Sequence, residues 1–333
     1  MKAFILDSYG SNDKVRFGEM PEPQLRDEDV LVQIHAASVN PVDAKIRDGQ
    51  FKLILKHRLP FILGNDLAGV VVRVGPKVRA FKPGDEVYAC ADQDRIGSFA
   101  ELIAIKESNL ALKPKTLSMQ EAASIPLVGL TAWQVLIEKA NLKKGQKVLI
   151  HAGSGGVGTM AIQLAKHVGA TVATTASAAN FDLVKRLGAD VVIDYKKDKF
   201  EELLSDYDVV FDTQGGAVLE KSLRVLRPGG KVIGIAGPPD RDFARDAGLG
   251  WPLKLVMGLL SYRIKAKAKA RGTSYSFHFM TPNGSQLREI GALIDAGAIH
   301  PVVDRVFPFA ETKDALAYVE AGRSKGKVVI AVR

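Results

Sequence analysis

A chain of 333 residues, 47% hydrophobic and 25% charged, is too long for one average core and too apolar for wholesale disorder, so two packed domains are expected. No run of about 18 uncharged apolar residues occurs, and Met1 leads directly into the strand-like Lys2-Ala3-Phe4-Ile5-Leu6 without a leader pattern; a cytoplasmic protein with no membrane span is expected. The single cysteine, Cys90, excludes an internal disulfide framework, and the net charge of +9 is spread along the chain except at Arg263 to Arg271, which argues against a nucleic-acid partner.

Residues 1 to about 112 alternate short β-rich runs with Gly/Pro turns: Val30 to Ile34, Ala68 to Val74 and Asp85 to Ala89, punctuated by Gly75-Pro76 and Lys82-Pro83-Gly84-Asp85. They predict a small, twisted, mostly antiparallel β domain. From Ser118 the period becomes helical, through Met119 to Ala123 and Ala132 to Ala140. Strand and helix patterns then alternate: strands over 147–151, 171–175, 191–194, 209–212 and 231–235, helices over 157–168 and 181–187. Such alternation predicts a doubly wound α/β domain with a parallel sheet. Amphipathic helices over 285–296 and 312–321 and a strand over 327–332 close the chain.

Between the strand 147–151 and the helix after it stand Ala152-Gly153-Ser154-Gly155-Gly156-Val157-Gly158, a G-x-G-x-x-G at a strand-to-helix junction. Gly153 permits a tight turn, Gly155 lets backbone approach a pyrophosphate, and Gly158 permits close packing of helix on strand. N–H groups at the helix N-terminus then face the phosphates. About 20 residues on, where NAD enzymes hold the ribose with Asp or Glu, the chain has Ala173-Thr174-Thr175-Ala176-Ser177-Ala178-Ala179-Asn180. With no carboxylate there, a 2′-phosphate is not repelled. Ser177 can donate to it, as can Tyr195 after the following strand, so NADPH is the expected cofactor; a helix N-cap is the plainer role for Ser177.

Further segments complete a pattern: Ala36 to Lys45, Gly64-Asn65-Asp66-Leu67-Ala68-Gly69, Phe81 to Val87, Gly129-Leu130-Thr131-Ala132-Trp133, Leu187-Gly188-Ala189-Asp190 and Gly326-Lys327-Val328-Val329. In this order they resemble the medium-chain dehydrogenase/reductase superfamily, in its zinc-independent quinone oxidoreductase and enone reductase branch. The resemblance implies a GroES-like catalytic domain over 1–125 and 283–333 and a Rossmann domain over 126–282. It also implies a homodimer. Zinc-dependent members carry Cys where Asn40 stands and His where Asn65 stands; amides are poor zinc ligands, and Val42 replaces their proton-relaying Ser or Thr. Without a Lewis acid, alcohol oxidation is disfavoured, whereas reducing a quinone or a conjugated C=C bond needs only a positioned nicotinamide and a donor for the developing negative charge.

By the same resemblance Lys45, Asn40 and Thr131 stand on the reacting side, Lys45 to polarise an acceptor carbonyl or touch the cofactor. Gly156 and Val157 would contact the pyrophosphate, Ser177 and Tyr195 the 2′-phosphate, and Ile235 the ribose. Phe277, His278 and Phe279 would form a strand offering backbone to the carboxamide, and Arg323 would reach the phosphates. Two other readings stay open: a metal-free carbonyl or alcohol dehydrogenase, and a non-catalytic NADPH binder that senses redox state or binds RNA. Residues 240–271, with Trp251 to Leu260 followed by a basic run, would cover a cleft or a subunit interface, or attach to anionic membrane.

Overall fold

The chain divides into two units, Met1–Leu130 with Thr281–Arg333 and Thr131–Met280, in a computed structural model that describes residues 1–55 and 57–333. In chain order the first unit has β1 (Lys2–Leu6), β2 (Val15–Glu19), β3 (Asp29–Val39), α1 (Pro41–Arg47), β4 (Phe61–Ile62), β5 (Asp66–Val74), β6 (Glu86–Cys90), β7 (Leu102–Lys106) and β8 (Leu110–Leu112). After α2 (Met119–Ala123) and α3 (Pro126–Trp133) come β9 (Lys147–Ile150), α4 (Gly156–Val168), β10 (Thr171–Ala176), α5 (Phe181–Arg186), β11 (Val191–Asp194), α6 (Phe200–Leu203) and β12 (Tyr207–Asp212). The second unit ends with α7 (Gly216–Ser222), β13 (Leu226–Gly234), α8 (Arg241–Asp246), α9 (Trp251–Ala270) and β14 (Ser274–Phe277). The chain then returns to the first unit for α10 (Gly284–Asp295), β15 (Val303–Pro308), α11 (Thr312–Glu320) and β16 (Lys327–Ala331).

β3 organises the first unit. It pairs antiparallel with β16, β5 and β7, inside a sheet of order β15-β16-β3-β5-β6-β8. Val30, Val32 and Ile34 of β3 lie on one side with Leu67, Val87 and Ile105, a core closed by alternate apolar positions. Register breaks between Leu31 and Val32 and between Ile34 and Ala36 bend the strand, as bulges do. Its end delivers Ser38 and Val39, and then Asn40 at the start of α1, into the interior.

In the second unit the sheet runs β11-β10-β9-β12-β13-β14, every pair parallel. Central strands buried on both sides must be apolar throughout, and Val148, Leu149 and Ile150 are fully buried. Three expectations need correction. The helix expected over 132–140 begins earlier, at Pro126, and widens over Gln134–Lys139, where Ala140 N–H reaches back to Val135 O at 2.8 Å. The strand expected over Phe277 to Phe279 ends at Phe277: its neighbour β13 stops at Gly234, whose carbonyl takes the last ladder bond from His278 N–H. Residues 251–270, given no element from sequence, form one long helix.

Candidate cofactor and active site

The glycine loop is built by packing at two positions and by vacancy at the third. A Cβ on Gly153 would collide with Thr174 Oγ1 and Ile162, and one on Gly158 with Ala152 O and Gly153 backbone. Gly155 differs: its Cβ would meet nothing nearer than Ala152 O at 3.3 Å. The fold therefore requires the first and third glycines, while the second leaves room beside the chain for a ligand to approach. Gly156 and Val157 precede the first hydrogen bond of α4, Thr159 N–H to Gly155 O at 2.9 Å, so their N–H groups point out of the helix start. The residues fit a pyrophosphate.

At the ends of β10 and β11, Ala176 pairs with Asp194, and Ser177 and Tyr195 are the next residues on each strand. Tyr195 is 60% exposed. Asn180, missed as a candidate, links the two halves of this corner: its amide donates to Ser154 Oγ at 3.0 Å and Ser177 Oγ at 3.3 Å. Its buried Oδ1 has no partner, a polar atom left for a ligand. The corner holds hydroxyls and an amide. NADPH is therefore expected to bind more tightly than NADH by about 1–3 kcal/mol, and Ser177→Asp to reverse the order by like-charge repulsion. Calorimetric titration checks this, and equal affinities in the parent would contradict it.

Along the remaining strand ends, the Asp212 carboxylate accepts N–H groups of Gln214 and Gly215, and burial raises its pKa. His151 bridges Thr175 Oγ1 (3.2 Å) and Ser222 Oγ (2.9 Å), and burial pulls it down to about 4, so it is neutral and structural. Ile235 is half-buried beyond β13. His278 N–H is taken by Gly234 O, its ring meets Gln134 Oε1 at 3.1 Å, and burial and Lys139 lower it to about 4. Phe277 O accepts the Lys139 ammonium at 3.3 Å, and Phe279 is half-buried past the strand. Thr131 is buried on α3.

In the first unit a closed polar cluster surrounds Asn40. Lys327, at the start of β16, sends its ammonium to Asn40 Oδ1, to Val39 O at 3.1 Å and to Asp66 Oδ2 at 3.3 Å. Asn40 Nδ2 donates to the same Asp66 oxygen at 2.9 Å, as does Ser38 Oγ, and Leu127 N–H satisfies Asp66 Oδ1. Asp43 accepts Asn40 N–H at 2.7 Å and Asn65 Nδ2 at 2.6 Å. All of these side chains are buried. Lys45, two residues after Asp43, is exposed on α1, and Arg323 is exposed in the turn after α11.

Comparison with known proteins decides the family. The model for the alcohol dehydrogenase GroES-like domain matches residues 26–115, and that for zinc-binding dehydrogenase matches residues 187–330. The chain is 40% identical to 2-methylene-furan-3-one reductase of Solanum lycopersicum over 99% of its length and 79% of that protein. It belongs to the medium-chain dehydrogenase/reductase superfamily. The NADPH-dependent alkenal/one oxidoreductase of Arabidopsis thaliana, chloroplastic, is 38% identical over 99% of this chain and 79% of its own. The quinone oxidoreductase structure from Coxiella burnetii superposes with a TM-score of 0.87 at 32% identity, covering 100% and 99% of the two chains. The two units are accordingly the GroES-like and Rossmann domains of that superfamily.

Zinc does not fit this member. Where the resemblance puts the catalytic metal of zinc-dependent members, the chain offers the carboxamides of Asn40 and Asn65, and the neighbouring cation is the Lys327 ammonium, already bonded to Asn40 and Asp66. Cys90 is buried, which raises its thiol pKa and opposes the thiolate a metal needs. Among the described residues no group of three or more His, Cys, Asp or Glu could hold a metal ion.

Burial pushes Asp43 up to about 7, against the pull of its two N–H donors. A carboxyl raised in this way binds its proton more tightly folded than unfolded. Its contribution to stability is therefore greatest below the unfolded value of about 4 and is lost as pH rises to about 7. Asp43→Asn should remove that loss, so the unfolding free energy of the variant relative to the parent should rise by about 3 kcal/mol between about pH 4.5 and 8. Urea unfolding across pH tests it; a pH-independent difference would refute the sign.

Proposed function

We propose that this chain is a metal-free reductase that passes hydride from NADPH to a quinone or an α,β-unsaturated carbonyl. The observation that carries the reading is the buried Lys327–Asp66–Asn40 cluster standing where a zinc-dependent relative would hold its metal. The Rossmann corner at Ser177 and Asn180, without a carboxylate, supports NADPH, as do the names of relatives that reduce furanones, alkenals and enones. When bound, NADPH supplies the hydride. Gly156 and Val157 N–H groups would hold the pyrophosphate, and Ser177 and Tyr195 the 2′-phosphate. Ile235 would back the ribose, the backbone from Phe277 to Phe279 would meet the carboxamide, and Arg323 would reach the phosphates. Lys45 would stabilise negative charge developing on the acceptor oxygen, with Thr131 also on the reacting side, while Asn40, whose buried carboxamide is bonded to Lys327 and Asp66, would hold that segment in place.

We further read the protein as a cytoplasmic homodimer. β14 is one of the two open edges of a parallel sheet, and antiparallel pairing with a second copy would satisfy its outer N–H and C=O groups. Sedimentation velocity tests this. For the activity, NADPH consumption is followed over quinones, 2-alkenals and cyclic enones after exhaustive chelation, with elemental analysis for zinc. Turnover without zinc is expected; NADP⁺-dependent alcohol oxidation in its place would favour the carbonyl dehydrogenase reading, and chelator-sensitive turnover would sink the metal-free one.

A further inference from the structure

Helix α9 is apolar on two opposite faces. Met257, Ser261, Ile264 and Ala268 form its buried stripe, and Ile264 and Ala268 join the core with Tyr275 and Phe277. On the far side Trp251, Leu255, Leu259 and Tyr262 recur at the same helical spacing, flanked by Val256 and Leu260. Trp251 is 76% exposed and Tyr262 71%. A helix with one buried face ordinarily carries polar residues on the other, so an outward row of four large apolar side chains, with Val256 and Leu260 exposed to one side of it, marks a docking surface.

Charge identifies what docks. α9 has no acidic residue, and none occurs between Asp246 and Glu289. Its cations are Lys254, Arg263, Lys265, Lys267 and Lys269, followed by Arg271. Asp240 and Glu220 hold Lys265 and Lys267, whereas Lys254, Lys269 and Arg271 make no ion pair among the described residues. Beside the basic half of the helix, an open groove of about 650 Å³ is lined by Lys221, Arg224, Lys267 and Arg271 around Glu220. A second copy apposed through the basic end of α9 would set Lys269 and Arg271, which no neighbouring acid pairs among the described residues, against like charge.

We propose that α9 seats the protein on an anionic phospholipid bilayer, with the Trp251–Leu255–Leu259–Tyr262 row at the acyl-chain boundary and the flanking cations on headgroup phosphates. The helix lies on the surface: no helix among the described residues is long and apolar enough to cross a membrane. On the proposed reading of the acceptor, hydrophobic quinones and enones partition into such a layer, and docking would bring the protein to their source.

The test is cosedimentation of the purified full chain with vesicles of phosphatidylcholine alone or with about a third phosphatidylglycerol. Binding should favour the anionic vesicles by about tenfold or more, fall with added salt, and shift Trp251 emission to the blue, a shift that Trp251→Phe abolishes. Leu255→Ser with Leu259→Ser, and separately Lys269→Glu with Arg271→Glu, should each remove binding while NADPH oxidation by a water-soluble acceptor is unchanged. Two results would overturn the proposal: no preference for anionic vesicles, or a dimer that the Leu255→Ser/Leu259→Ser pair dissociates, which would give the face to a second copy.

Discussion

Replacing Lys327 with methionine is expected to destabilise the protein by about 3–5 kcal/mol, the range for stripping one partner from a buried ion pair. The variant would leave Asp66 charged and buried without its cation and would orphan Asn40 Oδ1 and Val39 O. Lys327→Arg keeps the charge, but its planar guanidinium does not match three acceptors arranged around an ammonium, so an intermediate loss is expected. Urea unfolding measures both. Combining Lys327→Met with Asp66→Asn should cost less than the sum of the two single changes, because the second removes the charge the first exposes. A loss under about 1 kcal/mol for Lys327→Met would show that the pair contributes nothing to the fold.

The second large effect is kinetic. Lys45 is exposed on α1 and makes no ion pair among the described residues, so its ammonium is free to meet an acceptor. If it stabilises charge growing on the acceptor oxygen, Lys45→Met should lower kcat by about 10²-fold or more, as loss of an oxyanion donor does. Lys45→Arg should recover part of the rate because the charge survives. The change should leave unfolding unaltered, since an exposed side chain carries little of the packing. Single-turnover transfer at the parent rate in Lys45→Met would remove Lys45 from the reaction.

Local patterns in the sequence carry the elements that local physics dictates. β9, the loop at Gly153 to Gly158 and α4 follow from a run of buried apolar residues and from glycines that sterics demand, and the parallel sheet follows from their repetition. What escaped is set by distant contacts. Lys327 opens a strand whose other residues are apolar, and its partners Val39, Asn40 and Asp66 lie 288, 287 and 261 residues away, so no window of sequence links them. α9 escaped for the opposite reason: apolar side chains on two faces blur the helical period that a single stripe would give. The family resemblance implies a strand over Phe277 to Phe279, yet a strand extends only as far as its neighbour, and β13 ends at Gly234.

The most direct test of the account follows the hydride itself. Chelator-treated protein is mixed with NADPH deuterated at C4 and a 2-alkenal or cyclic enone, and the product is examined by mass spectrometry and NMR. The account predicts a saturated carbonyl compound with one deuterium on the former β-carbon, formed at the same rate whether or not zinc is added. Deuterium on the carbonyl carbon of an allylic alcohol, or transfer that begins only when zinc is restored, would contradict it.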